Sequence, residues 1–81
     1  MNMMGVTLEI YYLMQKSGVT YVLEAADGHT VARSAVLGAS DRRPYEFSVA
    51  GETFDVRRVA HLRVQGDSVY IHLLPEEHIY P

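Results

Sequence analysis

Turn dipeptides at hairpin spacing constrain the fold of this chain more than any other feature. They separate short apolar, β-branched segments and read Lys16-Ser17-Gly18, Asp27-Gly28, Ala50-Gly51-Glu52 and Gly66-Asp67. Gly and Asp in such short loops reverse the chain between neighbouring antiparallel strands. The pattern predicts an all-β domain, mainly antiparallel, in which about six strands in two three-stranded meanders form a small barrel or a two-layer sandwich.

The first meander is predicted to contain three strands, at residues 6–14, 19–25 and 30–36. In the first of them, period-two alternation places Leu8 and Ile10 on one face. A type I′ turn at Asp27-Gly28 is expected between the second strand and the third. Residues 31–39 also fit helical spacing, so a helix is the open alternative there, although the β-branched residues favour a strand.

The second meander begins with a hairpin that could form in two registers. A turn at Gly51-Glu52 places Val49 opposite Phe54, Phe47 opposite Val56 and Glu46 opposite Arg57. A turn at Ala50-Gly51 places Glu46 opposite Asp55 instead. Opposite charges stabilise a cross-strand pair and like charges destabilise it, so the first register is predicted.

Residues 53–64 are long for one strand, which predicts a bulge or bend within them. The expected place is Arg57-Arg58, because Arg58 would otherwise point from the apolar face. A final hairpin is predicted to turn at Gly66-Asp67, and Pro75 is expected to end its second strand before a short helical turn at 75–78. The predicted pairs are Val64–Val69, Leu62–Ile71, Ala60–Leu73, Arg63–Tyr70 and His61–His72.

Length and charge limit the classes of function. The 81 residues are predicted to form one domain, with a flexible start at 1–5, a connecting loop at 37–44 and a tail at 75–81. A net charge of −3 gives no general attraction to nucleic acid or anionic membranes. The absence of cysteine excludes disulfides and thiolate sites. No apolar run reaches the ~18 residues of a membrane span and no signal-peptide pattern occurs, so we expect a cytoplasmic protein without a membrane partner.

Cationic and aromatic side chains are predicted to share the outer face of the last hairpin and to recur in the connecting loop. Arg is suited to interfaces because its fork binds carboxylates and stacks on aromatic rings, and Tyr is also enriched at interfaces. The candidate binding residues are Arg57, His61, Arg63, Tyr70, His72, Arg42, Arg43 and Tyr45.

A metal site and catalysis were also considered. His61 and His72 are predicted to lie directly opposite each other, as two ligands of one metal could. Further ligands could come only from Asp55 or His78, which have no fixed spacing to the pair, so neither a metal nor another cofactor is predicted. The serines lack a G-x-S-x-G context, and the chain has no P-loop or G-x-G-x-x-G motif. A non-enzymatic protein is therefore expected.

The predicted function is protein binding or self-association by a small β module. Residues 19–25 and 31–36 carry few charges, so either segment could add as an edge strand to a partner. Composition is also typical of accessory or inhibitor proteins of mobile elements. The alternative function is binding of single-stranded nucleic acid by the Arg/Tyr/His face.

Overall fold

The computed structural model describes residues 3–75 and contains, within them, one α-helix and two β-sheets. The helix and strands are α1 (Met3–Met14), β1 (Thr20–Glu24), β2 (Thr30–Ser34), β3 (Leu37–Ala39), β4 (Glu46–Val49), β5 (Glu52–Asp55), β6 (Val59–Gln65) and β7 (Ser68–Leu73). A 3-10 turn, Val56–Arg58, separates β5 from β6. The predominance of antiparallel β-structure is thereby confirmed.

The strand order differs from two consecutive meanders. One sheet has the order β2-β1-β7-β6 and the other β3-β4-β5. Within the first sheet β1 and β7 run parallel, while the remaining neighbours in both sheets are antiparallel. The sheets do not close into a barrel. The predicted meander order is wrong because the chain enters the second sheet at β3 and returns to the first at β6.

The N-terminal segment is a helix, so the strand predicted for residues 6–14 is wrong. Val6, Ile10 and Leu13 are buried and recur at the helical spacings of four and three. Leu8, which the strand would place on the same face as Ile10, is exposed. The helix begins at Met3, inside the segment predicted as a flexible start. The predicted turn at 75–78 extends beyond the described residues.

One apolar core joins α1 to both sheets. Ile10 from the helix, Ile71 from β7 and Phe47 from β4 all belong to the same buried cluster. The Tyr21 hydroxyl of β1 donates to the Leu13 carbonyl at 2.7 Å, which ties the helix end to the four-stranded sheet. Burial raises the pKa of the Tyr21 phenol.

The β1–β2 hairpin is confirmed, but its turn type is not. The Ala25 N–H donates to the His29 carbonyl and the Gly28 N–H donates to the Ala25 carbonyl, each at 2.9 Å, so three residues form the loop. Only Gly28 has positive φ, at +93°, whereas type I′ also needs it at Asp27. Residues 30–34 form a strand and not the alternative helix. The predicted 37–44 loop is shortened by β3, which occupies its first three positions.

The β4–β5 hairpin adopts the register that was rejected. Val49 pairs with Glu52 and Glu46 pairs with Asp55. The turn is therefore Ala50-Gly51, where both residues have positive φ (+52° and +82°), as type I′ requires. The cross-strand repulsion is relieved because each carboxylate has its own arginine, Arg43 for Glu46 and Arg57 for Asp55.

The predicted bend at Arg57-Arg58 is confirmed, and it is the 3-10 turn that moves the chain between sheets. The β6–β7 register is also confirmed, with one exception at its open end. A bulge at Ala60 shifts the pairing, so Val59 and not Ala60 lies opposite Leu73. The four other predicted pairs form, including Arg63–Tyr70 and His61–His72.

Candidate binding surfaces

The predicted site residues do not form one surface. Two groups are present, on different parts of the described chain. His61, Arg63, Tyr70 and His72 lie together on the β6–β7 hairpin. Arg57, Arg42, Arg43 and Tyr45 line a cavity beside the 3-10 turn. Arg57 separates from the first group because the 3-10 turn precedes the start of β6.

The first group belongs to the sheet surface, defined here as Glu24, His61, Arg63, Tyr70 and His72. The His61 and His72 rings are stacked, with centroids 4.7 Å apart and planes 12° from parallel. The Arg63 guanidinium carbon lies 4.4 Å from the centroid of the Tyr70 ring. Antiparallel pairing of β6 with β7 brings both pairs together.

Glu24 is the residue of this surface that sequence reasoning missed. The parallel β1–β7 pairing places it beside His72, and its side chain is only 12% exposed. One carboxylate oxygen lies 3.4 Å from His72 Nδ1 and the other 3.6 Å from Arg63 Nη2. A carboxylate in an otherwise apolar strand was the available signal, but its neighbours depend on a long-range parallel pairing.

The two histidines of the sheet surface contact each other, and His72 also contacts Glu24. Among the described residues there is no group of three or more His, Asp, Glu or Cys side chains placed to hold a metal ion. His61 and His72 instead stack ring on ring, and Glu24 lies between His72 and Arg63.

The second group forms the loop notch, a cavity of about 290 Å³ lined by Arg42, Arg43, Pro44, Tyr45, Glu46, Asp55 and Arg57. Arg57 Nε donates to both Asp55 carboxylate oxygens, at 3.0 and 3.1 Å. These hydrogen bonds lower the pKa of the Asp55 carboxyl. The Arg57 guanidinium also lies 5.9 Å from the Tyr45 ring centroid. The cations of this notch, Arg42 excepted, are thus paired with the chain's own acids.

A third surface, the helix patch, was not predicted as such. It consists of Leu8, Tyr11 and Tyr12, which are 64%, 41% and 64% exposed and lie at spacings of three and four on α1. Glu9 is the single charged residue among the twelve of the helix. A soluble surface helix normally turns a charged face to water, whereas α1 is apolar on both sides.

The edge strands are partly those expected. Residues 19–25 cannot act as an edge, because β1 is paired on both sides, with β2 and β7. The β2 strand is an edge of the four-stranded sheet, in agreement with the prediction for residues 31–36.

Comparison with protein-family models, with curated proteins and with solved structures finds no match to this chain. Within residues 3–75, α1 is too short to cross a membrane.

Proposed function

We propose that this chain is a non-catalytic module that binds another protein, or a second copy of itself, through the helix patch. The observation that supports this is the exposed, almost uncharged outer side of α1. Leu8 and Tyr12 each keep 64% of their surface in contact with solvent, although they are adjacent on the helix. Covering them removes apolar area from water at about 25 cal/mol per Å².

The helix patch also has the side-chain chemistry of an interface. Tyr buries a large apolar ring, keeps a hydroxyl for hydrogen bonding and loses little conformational freedom, which makes it frequent among residues that dominate binding energy. Tyr11 is anchored edge-on to Phe47, with ring centroids 5.5 Å apart. The Lys16 amine lies 5.3 Å from the Tyr12 ring centroid. Both tyrosines are therefore presented by a helix that the core holds in place.

The sheet surface supports this function less directly. Its Arg63 guanidinium already stacks on Tyr70, and Glu24 lies within 3.6 Å of Arg63. A partner would have to replace these contacts before it gained new ones. An accessory or inhibitor role would be one form of the proposed binding.

The test compares a polar helix patch with a matched control. Leu8→Gln combined with Tyr12→Gln removes the apolar surface and keeps good helix formers, while Val36→Gln changes a 68% exposed residue that lies outside α1. Sedimentation across the micromolar range detects self-association, and quantitative crosslinking in the native cell detects a foreign partner. The double variant should lose the association and Val36→Gln should keep it. Equal association of all three proteins would refute the proposal.

Single-stranded nucleic acid remains the second candidate, supported by the Arg63–Tyr70 pair on the sheet surface. An arginine at 4.4 Å from an aromatic ring resembles the stacking platforms of such proteins. The expected behaviour is affinity that falls steeply with salt and is lost in Tyr70→Ala. Absence of binding to mixed-sequence oligonucleotides at low salt, measured by fluorescence anisotropy, would remove this candidate.

A further inference from the structure

A cleft of about 500 Å³ lies away from the helix patch and the sheet surface. The β1–β2 hairpin forms one wall, and the others come from the start of β5, the 3-10 turn and residues 73–75. This volume falls in the range of ligand sites, which are mostly apolar with a few polar groups that fix orientation. Its apolar lining residues include Leu23, Val31, Leu73, Leu74 and Pro75.

Arg58 lines this cleft and forms no ion pair with any residue in the described range 3–75. The sequence pattern singled it out as a charge on an apolar face, and the structure places it in the cleft wall. Its Nη2 donates to the Leu74 carbonyl at 3.1 Å, and the Leu74 N–H donates back to the Arg58 carbonyl at 2.7 Å. The first hydrogen bond positions the guanidinium before any ligand arrives, and the second fixes the Arg58 backbone against the end of β7.

The Arg58 guanidinium retains unused hydrogen-bonding capacity. Its Nε is buried and has no partner among the described residues. An arginine has five N–H donors, and a fork of two fits the two oxygens of a carboxylate. The Leu74 carbonyl occupies one of these donors, so the guanidinium keeps others with which to pair a carboxylate.

The acids around the cleft do not neutralise Arg58 by direct pairing. Asp27 is bound by the His29 backbone N–H at 3.0 Å and by the His29 ring. Asp55, whose pKa Arg58 also helps to lower, has its carboxylate bound by Arg57. Glu52 lines the cleft but forms no ion pair with Arg58.

We infer that this cleft is a second binding site, which takes a peptide segment of a partner protein carrying a carboxylate beside bulky apolar side chains. The carboxylate would pair with Arg58 while the apolar side chains pack on Val31, Leu74 and Pro75, which keep exposed surface. A peptide can supply a carboxylate and flanking apolar side chains together, which matches a cleft that places one arginine beside apolar lining residues. This site goes beyond the proposed function and does not depend on the helix patch.

The probe is the tripeptide acetyl-Leu-Glu-Leu-amide, titrated into the full chain labelled with ¹⁵N and ¹³C. Binding should shift the Arg58 Nε–H signal and the methyl signals of Val31 and Leu74. The Gln counterpart of the peptide should bind about tenfold more weakly, because it cannot accept a charged fork. This comparison leaves the protein unchanged, so it cannot fail through misfolding.

Variants of the protein sharpen the assignment. Arg58→Gln should weaken binding about tenfold, and Arg58→Lys, which keeps the charge and loses the fork, should fall between. Glu52→Gln should tighten binding, since it removes a competing carboxylate from the lining. Arg33→Gln changes an exposed arginine of β2 that does not line the cleft and should leave affinity unchanged.

Three outcomes would overturn the inference. They are no shift at the cleft up to millimolar peptide, equal binding of the Glu and Gln peptides, and binding of 4-phenylbutyrate without binding of the peptide. The last would assign the cleft to small organic acids.

Discussion

The sheet surface and the helix patch represent two ways in which side chains can remain at a protein's exterior. On the sheet surface, each side chain that suggested binding has a neighbour within the chain. His61 stacks on His72, and Arg63 lies over Tyr70 and near Glu24. On the helix patch, Leu8 and Tyr12 leave most of their surface exposed to solvent.

This difference shows that a residue type common at interfaces is not by itself a residue free to contact a partner. Arg, Tyr and His are frequent at interfaces, but a cation–π contact and an ion pair within the chain must be replaced before such residues can bind a partner. On the helix patch, a partner that covered the Tyr12 face would likewise replace its Lys16 contact, whereas the exposed area of Leu8 has only water as its alternative. The side chains that most resembled a site in the sequence are thus the less available ones.

The largest expected effect comes from comparing the two sides of α1. Ile10→Ala should lower the free energy of unfolding by about 2–5 kcal/mol, since it opens a cavity in the core. Leu8→Ala should change it by less than about 0.5 kcal/mol, because an exposed leucine contributes little to folding. Urea unfolding followed by circular dichroism measures both.

Leu8→Ala also serves as the critical control for the helix patch. A destabilisation of Leu8→Ala comparable to that of Ile10→Ala would mean that Leu8 is covered within the folded chain. The patch would then not be free to bind, and the proposed function would lose its supporting observation.

A smaller effect is expected on the sheet surface. Glu24→Gln keeps the size of the side chain and removes its charge, so it should cost about 1 kcal/mol through the lost attraction to Arg63 and His72. In a double-mutant cycle with Arg63→Gln, the two changes should not be additive. Additivity would contradict the view that these side chains stabilise one another.

The β6–β7 hairpin could be predicted because its determinants are local. Gly66-Asp67 provides the turn, and apolar alternation on both sides permits one register. The helix could not be separated from a strand on the same grounds. Val6, Ile10 and Leu13 fit helical spacing, while Leu8, Ile10 and Tyr12 fit alternation, and only burial in the folded core favours one pattern.

Long-range contacts account for the other differences. The β4–β5 register was predicted from one cross-strand charge pair, without the arginines that pair with Glu46 and Asp55. The Glu24–His72 contact follows from parallel pairing between strands more than forty residues apart, which no turn signal specifies. Four of the eight predicted site residues lie together because they share the β6–β7 hairpin. Arg57 lies apart from them because the 3-10 turn precedes β6.

The smallest expected effect concerns the Asp55–Arg57 pair in the loop notch, a second polar surface paired within the chain. Arg57 lowers the pKa of the Asp55 carboxyl in the folded protein. The pair therefore stabilises the fold at pH values above the pKa that Asp55 has in the unfolded chain, near 4. This stabilisation is lost as the pH falls through the lower pKa that Asp55 has in the folded protein. Both side chains are partly exposed, so the contribution should stay below about 1 kcal/mol.

Asp55→Asn should be less stable than the parent at pH 6, and the difference should shrink below about pH 4. Urea unfolding across this pH range measures it. A difference near zero at every pH would mean that Asp55 acts through the hydrogen bond its oxygen accepts from the Arg57 backbone N–H, which asparagine can also accept, and not through its charge.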